Sequence, residues 1–511
     1  MTSNSQVIIQ DIHTDFEKML EYVTGEQART ATADATERGL FKMLIEMGLK
    51  LLTLFFVMRA QSASRESLKT ADGSELRYHR DTKRRYVSIF GKLCFERPYF
   101  YRKGKDGQTP LDAELSLGDD CYSDFVREVS DYLGVYGVYH KVCDILERLL
   151  GLSLSTRVIQ SNLGEDAADV SAYYAQRPAP VASSEAETLV IQADGKGVPM
   201  ILEETKTDPV RLGKGEKHGR KKEAIVTSVY SIEAFIRTPE QVVASYYDKI
   251  SLSKPCKPQN KHLWATLDGK DVALRRLSKL VTARLGSQVR HKIALCDGCQ
   301  ALQIRLAKYF PDFILILDFI HANEYLWDVA NALFGENDDQ RFKWMKAHTL
   351  QLLSGQTKQL IAELHALAKQ PKLRKNKRTQ LIKTANYFER NLPFMDYSTY
   401  LSNGWPIASG VIEGACRHFV KDRCELSGMR WLQSGAENLL RLRAVAENND
   451  WDDYHVYRKQ QRHLRLYGSL PVNLESVEAQ SLASRSAIHA PVVDPLAPNK
   501  SSHYLQMPLA A

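Results

Sequence analysis

The chain has 511 residues, 44% hydrophobic and 25% charged, and its 69 basic against 61 acidic side chains leave a formal net charge of +8. That length calls for several folding units, and the balance excludes collagen-like, coiled-coil and wholly disordered chains. The mild basic excess permits a polyanionic partner without requiring one.

The most apolar run, Leu51 to Met58, lies between Lys50 and Arg59 and falls far short of the roughly 20 residues that span a bilayer. The first residues lack the basic-then-apolar layout of a signal peptide. The eight cysteines are scattered, which fits the reduced thiols of a cytoplasmic protein better than a disulfide scaffold.

In chain order, Leu40, Met43, Leu44, Met47, Leu51 and Leu54 have helical spacing. Tyr86 to Phe90 and Leu93 to Tyr101 read as strands, with Gly91-Lys92 placed to turn a hairpin and basic residues on both flanks (Arg77, Arg80, Lys83, Arg84, Arg85, Arg102, Lys103 and Lys105). Residues 1–110 thus form an N-terminal helical and hairpin region. Residues 111–170 hold three short helices. Gly151-Leu-Ser153 breaks the second, and Ser155 caps a third with Arg157, Gln160, Ser161 and Asn162 turned outward. This is a helix-turn-helix outline for DNA binding; a plain pair of helices with a solvated face is the other reading. Residues 171–188, rich in Ala, Pro and Ser, read as a linker. Residues 469–511 show little periodicity and read as a disordered tail.

The centre of the chain is different. Leu189 to Asp194, Val198 to Glu203, Ala224 to Tyr230, His291 to Asp297 and Phe313 to Asp318 are strand candidates, with a helix from Ala301 to Tyr309. Three antiparallel strands followed by strand-helix-strand give a mixed α/β sheet in the order of a ribonuclease-H-like core. Asp194 and Asp297 each end an apolar strand, and each precedes a glycine. Glu413 lies on a helix kept slim by Gly410, Gly414 and Ala415. Three carboxylates meeting at one point repel unless a cation neutralises them. Two Mg²⁺ or Mn²⁺ ions take such oxygen ligands and promote in-line phosphoryl displacement.

Several stretches together are recognisable: Gln192 to Met200, Arg211 to Lys222, Leu295 to Gly298, Leu317 to Trp327, and Ile412 to Val420 with Gly428 to Trp431. This ordered set resembles the DDE transposases of bacterial insertion sequences, most closely the ISKra4 family and more distantly the IS256 and Mutator-like group. The resemblance runs from about Leu189 to Tyr467. It implies that Asp194, Asp297 and Glu413 are the metal-binding catalytic acids. It also implies that Asp318-Phe-Ile-His321 is the Cys/Asp-x-x-His signature of the wider group. Asp318 competes with Asp297 for the second acid's role; Asp297 fits the group's order, leaving Asp318 and His321 to shape the site, contact DNA, or serve a structural hydrogen bond. The core then has a first part at 189–325, a helical insertion at 326–402, which the apolar spacing of Leu350 to Leu367 supports, and a second part at 403–468 carrying the Glu helix.

Two basic clusters suit a phosphate backbone. One holds Lys214, Lys217, Arg220, Lys221 and Lys222 in a glycine-rich loop, and the other Lys372, Arg374, Lys375, Lys377 and Arg378. Arg417, His418, Lys421, Arg423 and Arg430 flank Glu413 and can hold DNA near the ions. Cys296 and Cys299 read as small packing residues, and Trp327 and Trp431 as core. The expected function is DNA transposition: strand cleavage at the terminal inverted repeats of an element, then transfer into target DNA, by a homodimer or larger synaptic complex in the bacterial cytoplasm at the nucleoid. The rivals are an inactive or domesticated DNA-binding relative, and a structure-specific nuclease on the same core.

Overall fold

The computed structural model describes residues 3–70, 73–201, 221–250, 257–335 and 338–468. The expected tail, 469–511, lies outside them, as do Lys214, Lys217 and Arg220. The fold is mixed α/β. No described helix is long and apolar enough to cross a membrane.

Two helices, Ser3–Thr24 and Ala33–Ser62, open the chain. Thr32 caps the second by accepting from the Ala35 amide. Strands β1 (Leu68–Lys69), β2 (Glu75–Ser88) and β3 (Gly91–Tyr101) form a small antiparallel sheet in that order. Ser88 pairs with Gly91, so Ile89 and Phe90 make the turn, two residues before the expected Gly91-Lys92. Gly91 is the residue with positive φ (134°) that lets the chain re-enter the ladder. Phe56, Leu93, Phe95 and Leu111 join helix to sheet, with Phe56 stacked on Phe95 at 4.4 Å.

Helices Asp124–Tyr136, Tyr139–Leu150 and Thr156–Asp166 follow, as expected. Gly151 ends the second in the left-handed region (φ 65°), and Ser155 caps the third through the Val158 amide. Ile159, Asn162, Leu163 and Asp166 are buried along one stripe of that third helix, the i, i+3, i+4, i+7 pattern of a packed face. Asn162 therefore points inward, which corrects its expected exposure; Arg157 and Gln160 remain outside. The linker reading also fails in part. Val170–Gln176 is a helix, held by buried Tyr173 against Tyr454 and by Tyr174, whose hydroxyl donates to Asp450 at 2.9 Å.

The main sheet contains β4 (Thr188–Pro199), β5 (Lys221–Ile232), β6 (Gln259–Thr266), β7 (His291–Cys296) and β8 (Ile314–Leu317). Its order is β6-β5-β4-β7-β8. β6, β5 and β4 run antiparallel to one another, while β4, β7 and β8 run parallel. Val198 and Pro199 end β4 rather than starting a new strand, and the third antiparallel strand is β6. Gly195 and Gly197 are not turn residues. A side chain on Gly195 would strike the Glu223 carboxylate across the ladder, and one on Gly197 would crowd Lys221.

Alternation along the strands sorts two faces. Leu189, Ile191, Ala193, Ala294 and Cys296 pack under helices Lys270–Arg284 and Gln300–Tyr309. Val190, Ile293, Leu295 and Ile316 pack under the inserted helices Phe319–Leu333, Asp339–Leu353, Thr357–Ala368, Lys375–Asn391 and Tyr397–Ser402. That helical layer begins at Phe319, so the expected boundary at 326 cuts through its first helix. Val226, Leu263 and Ala265 pack with Ile412, Phe419 and the helix Gln433–Glu447.

Candidate functional site

The acids lie just past the point where the parallel pairing of β4, β7 and β8 stops. Asp297 and Asp318 follow the last residues of β7 and β8, whereas β4 runs on past Asp194 to Pro199, so Asp194 does not end its strand as expected. Gln192 pairs with Leu295, and Cys296 with Leu317. Carried forward, this register sets Asp194 beside Asp297 and Asp297 beside Asp318, on strands about 4.8 Å apart. Alternation places Asp194 on the same face as Gln192. The short helix Gly410–Ala415 lies over that face, and its Ile412 amide donates to the buried Gln192 Oε1 at 2.9 Å. This helix carries Glu413. It continues into a π-helical turn, Cys416–Lys421, an irregularity often found at functional sites.

Each acid has its own anchoring. Asp194 Oδ1 accepts from the Gly195 amide at 2.6 Å, and Asp194 Oδ2 accepts from Cys416 Sγ at 3.3 Å. Asp297 Oδ1 accepts from the Cys299 amide at 3.0 Å. Asp318 is fully buried. It caps the helix Phe319–Leu333 through the Ile320 amide at 2.6 Å, and it also accepts from the Ser409 amide at 3.0 Å and the Ser409 hydroxyl. The same hydroxyl lies 3.0 Å from Glu413 Oε1. His321 Nε2 is 3.8 Å from Glu413 Oε1, and His321 Nδ1 is 3.1 Å from Glu324.

Burial first, and neighbouring charge second, shifts the pKa values of these groups. Burial pushes the Asp318 carboxyl up to about 6, with Glu413 adding to the rise. Burial also raises Asp297, and the charges of Asp194 and Glu223 raise it further. For His321, burial opposes the charged form, but Asp318, Glu324 and Glu413 outweigh it and raise its pKa. Among the described residues, Asp318, His321 and Glu413 offer one ligand atom each within 4.8 Å of one another and can hold a metal ion. Asp194 and Asp297 stand outside that tight group, next to it along the strand ends.

The inserted helices close on the Asp297 loop. Tyr387 lies where a side chain on Gly298 would be, and Arg390 donates to the Gly298 carbonyl at 2.8 Å. Gln192, Ser409, Cys416, Glu223 and Tyr387 are site residues that the motif reading passed over. Only Gln192 had a visible signal: a polar residue inside an apolar strand, two positions before an acid and so on the same face.

The basic residues divide. Lys222 donates to Gln433 at 2.6 Å and Lys221 pairs with Glu425. Lys372, Arg374 and Lys375 are exposed. Lys377 instead donates to the Leu333 carbonyl at 3.0 Å, and Arg378 to the Ala368 carbonyl at 3.0 Å. These are last-turn carbonyls that a helix leaves unpaired, so both cations serve as caps. Arg417, Lys421 and Arg430 are on the surface. His418 pairs with Glu447 at 3.3 Å. Arg423 is buried and donates to the Gly134 carbonyl at 3.0 Å, which removes it from the expected DNA contacts. Trp431 is core, its indole donating to the Cys424 carbonyl at 2.9 Å.

No protein-family model matches the chain, and no curated protein matches it in sequence.

Proposed function

We propose that the chain is a DDE-type transposase, a divalent-metal-dependent polynucleotidyl transferase that cuts DNA at element ends and joins the freed 3′ end to target DNA. One observation carries the reading: Asp194 and Asp297 lie two residues beyond the last parallel pair of β4 and β7, Gln192 with Leu295, and the helix that bears Glu413 is hydrogen-bonded to Gln192. The strand order supports a ribonuclease-H-like core, with the helices from Phe319 to Ser402 as its insertion.

The donor set fits hard cations, because burial and neighbouring acids raise the pKa of both Asp297 and Asp318, and a cation favours their ionised forms. Asp194, Asp297 and Glu413 would hold two Mg²⁺ or Mn²⁺ ions, which when bound supply Lewis acidity to phosphate oxygens. Asp318 has a different part. Its oxygens are taken by the Ile320 and Ser409 amides and the Ser409 hydroxyl. It is a positioning residue that fixes the entry to the Glu413 helix, and Gln192 holds the next turn. His321 faces Glu413 and orients its carboxylate. Lys372, Arg374, Lys375, Arg417 and Lys421 are exposed and would meet phosphates, and the exposed Arg157 and Gln160 would meet the terminal repeats.

Both ends must be processed together, and the long N-terminal helix offers a face for a second copy. Phe41, Leu44, Leu51, Phe55 and Met58 are all exposed. Their spacing alternates three and four, with Phe90 lying where a side chain on Gly48 would complete the row. Such a seam fits a helix of the same period, so an identical copy is its occupant.

The test is cleavage and joining of labelled element-end DNA with Mg²⁺. Asp194→Asn, Asp297→Asn and Glu413→Gln should each lose roughly 100-fold or more in rate while melting like the parent. Parental cleavage by Asp297→Asn removes it from the mechanism. Cleavage without joining makes the chain a nuclease.

A further inference from the structure

The open end of the β2–β3 hairpin carries a surface that the acid site does not use. Arg77 pairs in register with Tyr101, and Arg80 with Tyr99. Between them the ladder is interrupted by a bulge at His79, a device that re-aims a side chain. The three rings gather as a result. His79 lies 5.9 Å from Tyr101 and 6.4 Å from Tyr99, centroid to centroid. Tyr99 and Tyr101 are nearly parallel, 14° apart in plane, with centroids 6.3 Å apart. Bases in a strand stack about 3.4 Å apart, so a base held between two rings needs roughly twice that. The centroid separation approaches this value. Tyr101 is 40% exposed, and Tyr99 is braced by Gly107, whose missing side chain makes room for the phenol.

Cations neighbour this platform, Arg77 and Arg80 across the ladder and Arg102 and Lys103 next along the chain. Arg77, Arg80, Arg102 and Lys103 are exposed, and none has an ion-pair partner among the described residues. The nearby Asp81 is already paired with Arg65. Fixed aromatic faces amid uncommitted guanidinium groups match one ligand chemistry. Phosphates satisfy the cations, and flat bases satisfy the rings. A duplex offers the phosphates but keeps its base faces stacked inside.

We propose that this hairpin face binds a single-stranded polynucleotide, with unpaired bases stacked on Tyr99, Tyr101 and His79 and phosphates held by Arg77, Arg80 and Arg102. The site rests on the hairpin alone and stands whether or not the acids cut DNA.

The test uses the full chain in EDTA and fluorescence anisotropy with fluorescein-labelled oligothymidylate of about 16 nucleotides, the matching oligouridylate, and a duplex of the same length. The double variant His79→Ala/Tyr101→Ala should bind the single strands roughly 10–100-fold more weakly and the duplex within twofold of the parent. Arg77→Gln/Arg80→Gln should lower the salt slope for single strands by about one for each residue removed. Loss with oligothymidylate, oligouridylate or both supports the site and names the polymer. The proposal is overturned if the aromatic variant keeps parental single-strand affinity or loses duplex affinity equally, or if the arginine variant leaves the slope unchanged. Melting followed by circular dichroism confirms that both variants are folded.

Discussion

Asp318 shows how one side chain is drawn two ways. Its hydrogen bonds favour the charged form, yet burial prevails and holds its pKa at about 6. A carboxyl raised in the fold binds its proton more tightly than in the unfolded chain. Its contribution to metal-free stability is therefore full below the ordinary carboxylate range and is lost as pH rises through about 6. The raised Asp297 and His321 act in the same direction. A cation at this site requires the ionised acids, so the increase in Tm on adding Mn²⁺ should be small at pH 5 and grow to its full size by pH 7.5. A pH-independent increment, read by scanning calorimetry, would contradict this. Ser409→Ala removes a hydroxyl that serves both Asp318 and Glu413. It should cost about 1–2 kcal/mol in urea unfolding and slow cleavage without weakening DNA binding.

At the level of elements, the helix Trp451–Tyr467 is riveted to the three-helix region by charge. Buried Arg458 reaches Asp166 and Asp124, both at 2.8 Å, and Arg127 reaches Asp166 at 2.7 Å. Asp131 is buried beside Asp166, and burial, with the Asp166 charge adding to it, raises its pKa well above the ordinary carboxylate range. Removing one partner of such a cluster strands the remaining buried charges. Arg458→Ala should therefore cost at least about 3 kcal/mol in urea unfolding, and a loss below about 1 kcal/mol would show that the cluster is dispensable. The helices themselves were legible because apolar residues recur at their period. The sheet was less so. Gly195-Lys-Gly197 imitates a turn, but the glycines make room for Glu223 and Lys221. β6 begins with Gln-Asn-Lys-His, so half of it lacks the apolar signal of a strand.

Across the whole molecule, the proposed assembly would rest on the exposed apolar row of the helix Ala33–Ser62. Leu44→Glu with Leu51→Glu puts like charges into it and should convert a dimer to monomers in sedimentation equilibrium, with the melting temperature of the core unchanged. A parent that is monomeric throughout the micromolar range would sink the shared-seam proposal.

The sequence by itself determined the mixed α/β class, most helices, the capping at Ser155 and the positions of Asp297 and Asp318 just past strand ends, because periodicity and capping are local properties. Tertiary structure alone decided the rest. Register across β4, β7 and β8 aligned the three aspartates. The buried Gln192 drew the Glu413 helix onto the sheet. Packing of neighbouring helices turned Asn162 and Arg423 inward and made Lys377 and Arg378 caps. Each of these depends on partners distant in the chain, and no window of sequence contains both members of such a pair.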